Sequence, residues 1–197
     1  MATWAITWLL LMALRCRSAR RTGFLLDALL VALGILMVVQ GAAAPALAPA
    51  WRALPAYLLG SLLVFALSVC MTAAAPRAYL ASVLTGLGHA GAPRHAQLAR
   101  RALLVALYEE ALWRVVLQTA LCACIGSPAA LFAVAAAFTH WHRHRTAASW
   151  PRTLELFFFS LILGLLYLYT GDPLAAILPH AIRNYLIGLS GYRSEKV

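Results

Sequence analysis

The chain has 197 residues, of which 63% are hydrophobic and 11% charged, with 16 Lys and Arg residues against 6 Asp and Glu. A soluble domain of this length cannot bury so much apolar surface, so the composition excludes the soluble classes and predicts a membrane protein. The basic residues lie between apolar stretches and not beside aromatic side chains on a polar face. This pattern favours anchoring at the membrane edge and speaks against nucleic-acid binding.

The first hundred residues predict a series of apolar helices. Residues 1–14 are apolar but short, and a basic cluster at 15–21 follows them directly. Residues 23–44 form a long apolar run, and residues 54–75 form the next one. Residues 79–90 are too short to cross a bilayer, which predicts a helix at the membrane interface.

The second half of the chain predicts a further set of spans joined by short connections. In chain order these are a polar loop at 91–101, a span at 102–125, a span at 129–142, a basic loop at 143–152 and spans at 153–170 and 174–190. The predicted fold class is therefore an all-α polytopic bundle of about six to seven transmembrane helices plus one interfacial helix, in a single domain over residues 1–197. The basic segments predict which side is cytoplasmic.

Three charged residues interrupt the span at 102–125, where each would cost several kcal/mol if it were unpaired in hydrocarbon. Glu110 and Arg114 are four residues apart, so they share a helix face and can form an ion pair. Glu109 points about 100° away from Glu110 and has no partner on its own helix. A group on another helix is therefore expected to face Glu109.

The next span ends in three histidines, His140, His142 and His144. Measured along the two helices from the turn that joins them, Glu109 lies at about 27 Å and His142 at about 22 Å, so the two are predicted at similar depth. His140 and His144 share the opposite face of that helix. His142 is therefore the expected partner of Glu109, and its two neighbours are the alternatives.

The last span carries His180 and Asn184, four residues apart on one face and directly after Pro179. Such a set of groups on three helices supports hydrolysis. A Glu beside a His can hold and deprotonate water, and a second His with an Asn can donate hydrogen bonds to an oxyanion. Zinc ligation is the other use of one Glu and two His, and the residues alone leave it open.

These three groups resemble the motifs of the CAAX prenyl protease and bacteriocin-processing family of intramembrane endopeptidases, also called CPBP or Abi. The family motifs are E-E-x-x-x-R, F-x-x-x-H and H-x-x-x-N/D. Here they read EEALWR at 109–114, FTHWH at 138–142 and HAIRN at 180–184. The resemblance covers residues 102–190, which we therefore expect to form the catalytic core.

The resemblance implies an intramembrane endopeptidase that cleaves a membrane-anchored protein or peptide. The implied catalytic residues are Glu109, His142, His180 and Asn184, with Glu110 and Arg114 in support. The first two would activate water and the next two would bind the oxyanion, without a cofactor; zinc is the less favoured alternative. The Ala- and Arg-rich composition suggests a bacterial protein, hence the inner (plasma) membrane, with the site towards the cytoplasm.

Two other functions are weighed against the protease. A non-catalytic relative acting as an immunity or adaptor protein would share the fold, but the intact motifs count against it. A metal or proton transporter could use the buried Glu and His residues, but the internal repeat common in transporters is absent.

Overall fold

The computed structural model describes residues 50–72, 76–146 and 150–191, and within these ranges it contains helices and no strand. The elements in chain order are α1 (Ala50–Thr72), α2 (Pro76–His89), α3 (Ala92–Glu110), a π-helical segment (Ala111–Gln118), α4 (Thr119–Ile125), α5 (Ser127–Thr146), α6 (Trp150–Thr170) and α7 (Leu174–Gly191). The all-α class is thereby confirmed. The apolar helices predicted at 1–14 and 23–44 lie outside the described residues.

The prediction of a polar loop at 91–101 is wrong, because α3 begins at Ala92 and runs through the whole stretch. Gly91 is the extended residue before the helix and a proline follows in its first turn, which is a common way for a helix to start. Ala102 and Ala106, four residues apart, are buried, whereas the basic Arg100 and Arg101 face outward. The first part of α3 can carry polar side chains because only one face of the helix packs against the rest of the protein.

The basic loop predicted at 143–152 is also too long. Helix α5 continues to Thr146 and α6 begins at Trp150, so at most residues 147–149, outside the described residues, separate them. The preceding turn is equally tight. Gly126 adopts a φ of 81°, which favours glycine, and α5 begins at the next residue.

A π-helical segment interrupts what the sequence predicts as a plain α-helix over 102–125. The backbone N–H of Thr119 donates to the carbonyl of Arg114, five residues back. In an α-helix, a residue lies about 40° around the axis from the residue four positions earlier. The wider turn of a π-helix brings such residues closer to the same face. Glu110, Arg114 and Gln118 can thus all be fully buried on one face.

Helix α7 lies at the centre of the described part of the chain and packs against α1, α2, α3 and α6. Helix α5 packs against α6, and the π-helical segment lies beside both. The core that joins them is aromatic and aliphatic, and its largest fully buried apolar side chains are Trp113, Phe138, Phe159 and Leu163. This packing brings the three motif-bearing helices together.

The outer surface of the bundle is strongly apolar. Leu58, Leu59 and Leu62 on α1 are each 60–64% exposed, and a surface of this kind is expected against lipid and not against water. Within the described ranges one helix, Trp150–Thr170, is long and apolar enough to cross a bilayer, and Leu54–Cys70 is a shorter apolar helix. These features support a membrane protein, while the number of spans stays a prediction.

Candidate active site

The carboxylate of Glu109 lies between two histidines from other helices. Its Oε2 atom is 3.3 Å from Nε2 of His142 on α5 and 3.6 Å from Nε2 of His180 on α7. The side chains of Glu109 and His142 are 12% and 16% exposed, so both are screened from bulk solvent but reachable. Three residues from three motifs, up to 71 positions apart in the sequence, thus meet at one point.

His142 is held in one orientation by its own helix. Its Nδ1 lies 2.9 Å from the carbonyl oxygen of Phe138, and because a carbonyl only accepts, Nδ1 carries the hydrogen. The ring also stacks on Phe138 at a centroid distance of 4.1 Å. In the neutral imidazole the lone pair is therefore on Nε2, facing Glu109. His140, by contrast, is exposed on another face of α5, and the side chain of His144 lies outside the described residues.

Glu110 is fully buried and has two partners. Its Oε2 accepts a hydrogen bond from Nε of Arg114 at 2.8 Å, the pair expected from the four-residue spacing. Its Oε1 lies 2.6 Å from Nδ1 of His180, which donates to the carboxylate. This second contact is not predicted by the sequence. Glu110 therefore fixes the ring of His180 with Nε2 turned towards Glu109.

Arg114 extends this buried network to α6. Its guanidinium donates to Oγ of Ser160 at 3.0 Å and to Oε1 of Gln118 at 3.4 Å. Gln118 in turn donates to the carbonyl oxygen of Gly164 at 2.9 Å. Every one of these polar side chains is satisfied, which is what a charged group needs in a dry interior.

A cavity of about 350 Å³ opens beside the carboxylate of Glu109. Its other lining residues are apolar or aromatic: Leu104, Val105, Tyr108, Leu112, Trp113 and Trp141. An apolar cavity with one carboxylate in its wall can take an apolar segment of a peptide and bring a backbone carbonyl to the Glu–His pair.

Asn184 is the fourth residue implied by the motifs and lies on the same helix as His180. It lines a neighbouring cavity of about 210 Å³ between α3 and α7, together with Arg101 and Gly188. The two cavities share Val105 in their walls. Among the described residues, the side chain of Asn184 has no hydrogen-bond partner. Its amide thus lies one helical turn from His180, facing a space next to the main cavity.

A second buried ion pair, between Glu155 on α6 and Arg183 on α7, is missed by the sequence analysis. The Nη2 atom of Arg183 lies 2.6 and 2.8 Å from the two carboxylate oxygens, and its Nε atom lies 2.9 Å from Oε1. Ser68 of α1 donates to the same oxygen at 3.1 Å. The available signal was a Glu inside the apolar run at 153–170 and an Arg inside the third motif.

In the described part of the chain, no group of three or more His, Cys, Asp and Glu residues is arranged to hold a metal ion. Glu109, His142 and His180 lie close together, and the bond from Nδ1 of His180 to Glu110 leaves its Nε2 turned towards Glu109.

A comparison with protein-family models finds a similarity that covers just under half of the chain. Residues 91–186 match the family model described as type II CAAX prenyl endopeptidase Rce1-like. The matched region begins at the start of α3 and ends within α7, so it contains all three motifs. No curated protein and no solved structure matches the chain.

Proposed function

We propose that this chain, which carries a domain of the type II CAAX prenyl endopeptidase Rce1-like family over residues 91–186, is an intramembrane endopeptidase that hydrolyses a peptide bond of a membrane-anchored protein or peptide. The observation that carries the proposal is the convergence of Glu109, His142 and His180 on one point beside an apolar cavity. The family supports a protease, and the exposed apolar surface supports an enzyme held in lipid.

Glu109 and His142 are the groups that activate water. Both Oε2 of Glu109 and Nε2 of neutral His142 are acceptors, so one water molecule beside them can donate a hydrogen to each. Its oxygen lone pair is then free to attack a carbonyl carbon. As the C–O bond forms, one proton passes to Glu109, which acts as general base.

His180 and Asn184 are proposed to stabilise the oxyanion. With Nδ1–H bonded to the Glu110 carboxylate, His180 can hold a second proton on Nε2 and donate it as a hydrogen bond to the developing negative charge. The Asn184 amide, one helical turn away, is the second donor. The tetrahedral intermediate then collapses, the C–N bond breaks, and the proton on Glu109 passes to the leaving amine.

The mechanism is proposed to need no metal. A Glu–His pair supplies the base, and two side-chain donors supply the electrostatic stabilisation that a Lewis acid would otherwise give. Zinc in a catalytic site takes three protein ligands at about 2.0–2.2 Å and an open fourth position. Using Glu109, His142 and His180 in this way would leave the water without a base other than Glu110, which already binds Arg114.

The Ala- and Arg-rich composition favours a location in the bacterial inner membrane, and the basic segments favour a site towards the cytoplasmic side. The substrate would then present its cleavage site at the cytoplasmic edge of the bilayer. A membrane-anchored segment beside a soluble one fits both the apolar cavity and the screened but accessible carboxylate.

The test is a comparison of membrane-fraction proteins from cells that carry the wild-type chain or its Glu109→Gln variant. Peptides with new termini that appear only with the wild type identify the substrates. We expect at least one membrane-anchored protein to be shortened by the wild type and to accumulate uncut with Glu109→Gln. Identical sets of termini in the two strains would contradict the proposal.

A further inference from the structure

The ion pair of Glu155 and Arg183 lies next to the cluster of Glu109, His142 and His180 but makes no direct contact with these three side chains. Arg183 follows His180 by three residues on α7, so the two side chains share a face of that helix. Glu155 and Phe159 are four residues apart and share a face of α6. These two faces of α6 and α7 pack against each other. The Glu155–Arg183 ion pair forms one layer of contacts between the helices, and Phe159 against His180 forms the adjacent layer.

Phe159 connects the two levels. The guanidinium carbon of Arg183 lies 4.4 Å from the centroid of its ring, within the range of a cation–π contact. The ring of His180 approaches Phe159 edge-on, with centroids 5.0 Å apart and planes at 84°. Phe159 is fully buried, so it cannot move without disturbing both neighbours. The position of Arg183 is thus transmitted to the imidazole through one rigid ring.

The ion pair also fixes the rotation of α7. Arg183 binds both oxygens of Glu155, an arrangement that restricts orientation more than a single contact would. Ser68 adds a contact from α1, since its hydroxyl lies 3.2 Å from Nε of Arg183 and 3.1 Å from Glu155. Glu155 is fully buried and Arg183 nearly so. Three helices are therefore locked at the level just below His180.

We infer that Glu155 and Arg183 form a positioning pair for the active site, which sets the ring of His180 so that its Nε2 faces the reacting carbonyl. The inference rests on the proposed function for its catalytic meaning, but the geometry of His180 can be measured without any substrate. A buried ion pair is often replaceable by apolar residues at little cost to stability. Stability alone is therefore a weak reason for the pair, and it is the alternative that the experiment must separate from positioning.

The test uses a double variant, Glu155→Leu/Arg183→Met, which removes both charges of the pair. Arg152, whose Nη1 lies 3.6 Å from Oε2 of Glu155, loses this contact as well, but its side chain is 29% exposed and can reach solvent. The matched control is Tyr185→Phe, which removes a different contact of α7, the 2.6 Å hydrogen bond between Tyr185 and His95 of α3. Both proteins are labelled with ¹⁵N-histidine in lipid nanodiscs. The signal of His180 is assigned by its loss in His180→Gln.

The wild type and the control are expected to show the far-downfield Nδ1–H proton of His180 that a short bond to Glu110 produces. The double variant is expected to lose that resonance while its thermal midpoint stays within a few degrees of the wild type. An unchanged His180 signal in the double variant would overturn the inference.

A second variant covers the case in which the double variant does not fold. Arg183→Lys keeps the buried charge but loses the contact of the guanidinium with both oxygens of Glu155 and its cation–π contact with Phe159. It is expected to move the far-downfield Nδ1–H signal of His180 upfield, as a longer bond to Glu110 would, and an unchanged signal would again overturn the inference.

Activity separates this inference from the proposed function. If a substrate is cleaved by the wild type, the double variant is expected to process it at least tenfold more slowly, and processing at the wild-type rate would overturn the positioning role. If the wild type cleaves nothing, the proposed function fails, but the His180 resonance still decides whether the pair sets the ring.

Discussion

Nδ1 of His180 lies 2.6 Å from Oε1 of Glu110, although 70 residues separate the two in the chain. The same carboxylate binds Nε of Arg114 at 2.8 Å. Adjacent glutamates on one helix therefore have different tasks. Glu110 is buried and holds a cation and an imidazole, whereas Glu109 faces the cavity and the second imidazole.

Glu110→Gln is expected to destabilise the protein strongly. The change leaves the fully buried Arg114 without its counter-charge, and breaking a buried pair in this way costs about 3–5 kcal/mol. Thermal unfolding in detergent should show a much lower midpoint for Glu110→Gln than for Glu109→Gln, which serves as the control. Equal midpoints would show that the two carboxylates do not divide their roles in this way.

His142→Ala is expected to be as inactive as Glu109→Gln, and the double variant no worse than either one. Two groups that act on one water molecule lose their effect together, so their losses do not add. Initial rates of substrate processing by the three proteins measure this.

The control for that series is His140→Ala, which removes an exposed histidine two residues away. It should keep most of the activity. A dead His140→Ala protein beside an active His142→Ala protein would move the site to the other face of α5.

Gly164→Ala is expected to lower stability by about 1–3 kcal/mol through overpacking. A methyl group at this position would lie 2.7 Å from Cδ2 of Leu131 and 2.8 Å from Oε1 of Gln118, and would press on the network around Arg114.

Gly88→Ala is the matched control, because a methyl group there meets nothing within 4 Å. It should be neutral or stabilising by about 0.5–1 kcal/mol, as is usual for this change inside a helix. Similar midpoints for the two variants would mean that α6 and the π-helical segment pack less closely than the structure indicates.

Chelator treatment of the purified protein is expected to leave cleavage intact, and metal analysis should find less than one zinc per chain. Glu109 and His142 can activate water directly, so removal of trace metal takes nothing from the proposed reaction. Loss of activity that added zinc restores would favour metal-assisted hydrolysis on the same residues.

The contacts that follow from spacing along one helix could be predicted from the sequence. Glu110 and Arg114 share a face at four residues apart, and the structure brings them to 2.8 Å. The similar depth of Glu109 and His142 on two joined helices also predicts their contact, and in the structure Oε2 of Glu109 lies 3.3 Å from Nε2 of His142. Both predictions need only the pitch and rise of a helix.

The contacts that depend on how helices rotate against each other could not be predicted in this way. The bond from His180 to Glu110 and the pair of Glu155 with Arg183 join helices whose relative rotation is set by packing around Phe159. The role of Asn184 stays a prediction: it follows His180 by four residues on α7, and it lines a neighbouring cavity. Gly91 and the proline in the first turn indicate the start of α3. The polar side chains that follow favour a loop instead, and for this reason the sequence does not predict the start of the helix correctly.

The central claim is that Glu109 is the base of a peptide hydrolase. Its most direct test is the cleavage rate of an identified membrane-anchored substrate by purified wild-type and Glu109→Gln proteins in lipid nanodiscs. We expect Glu109→Gln to unfold at the wild-type temperature but to cleave about 10²–10⁴-fold more slowly, the range for loss of a general base. Cleavage by folded Glu109→Gln at the wild-type rate would contradict it.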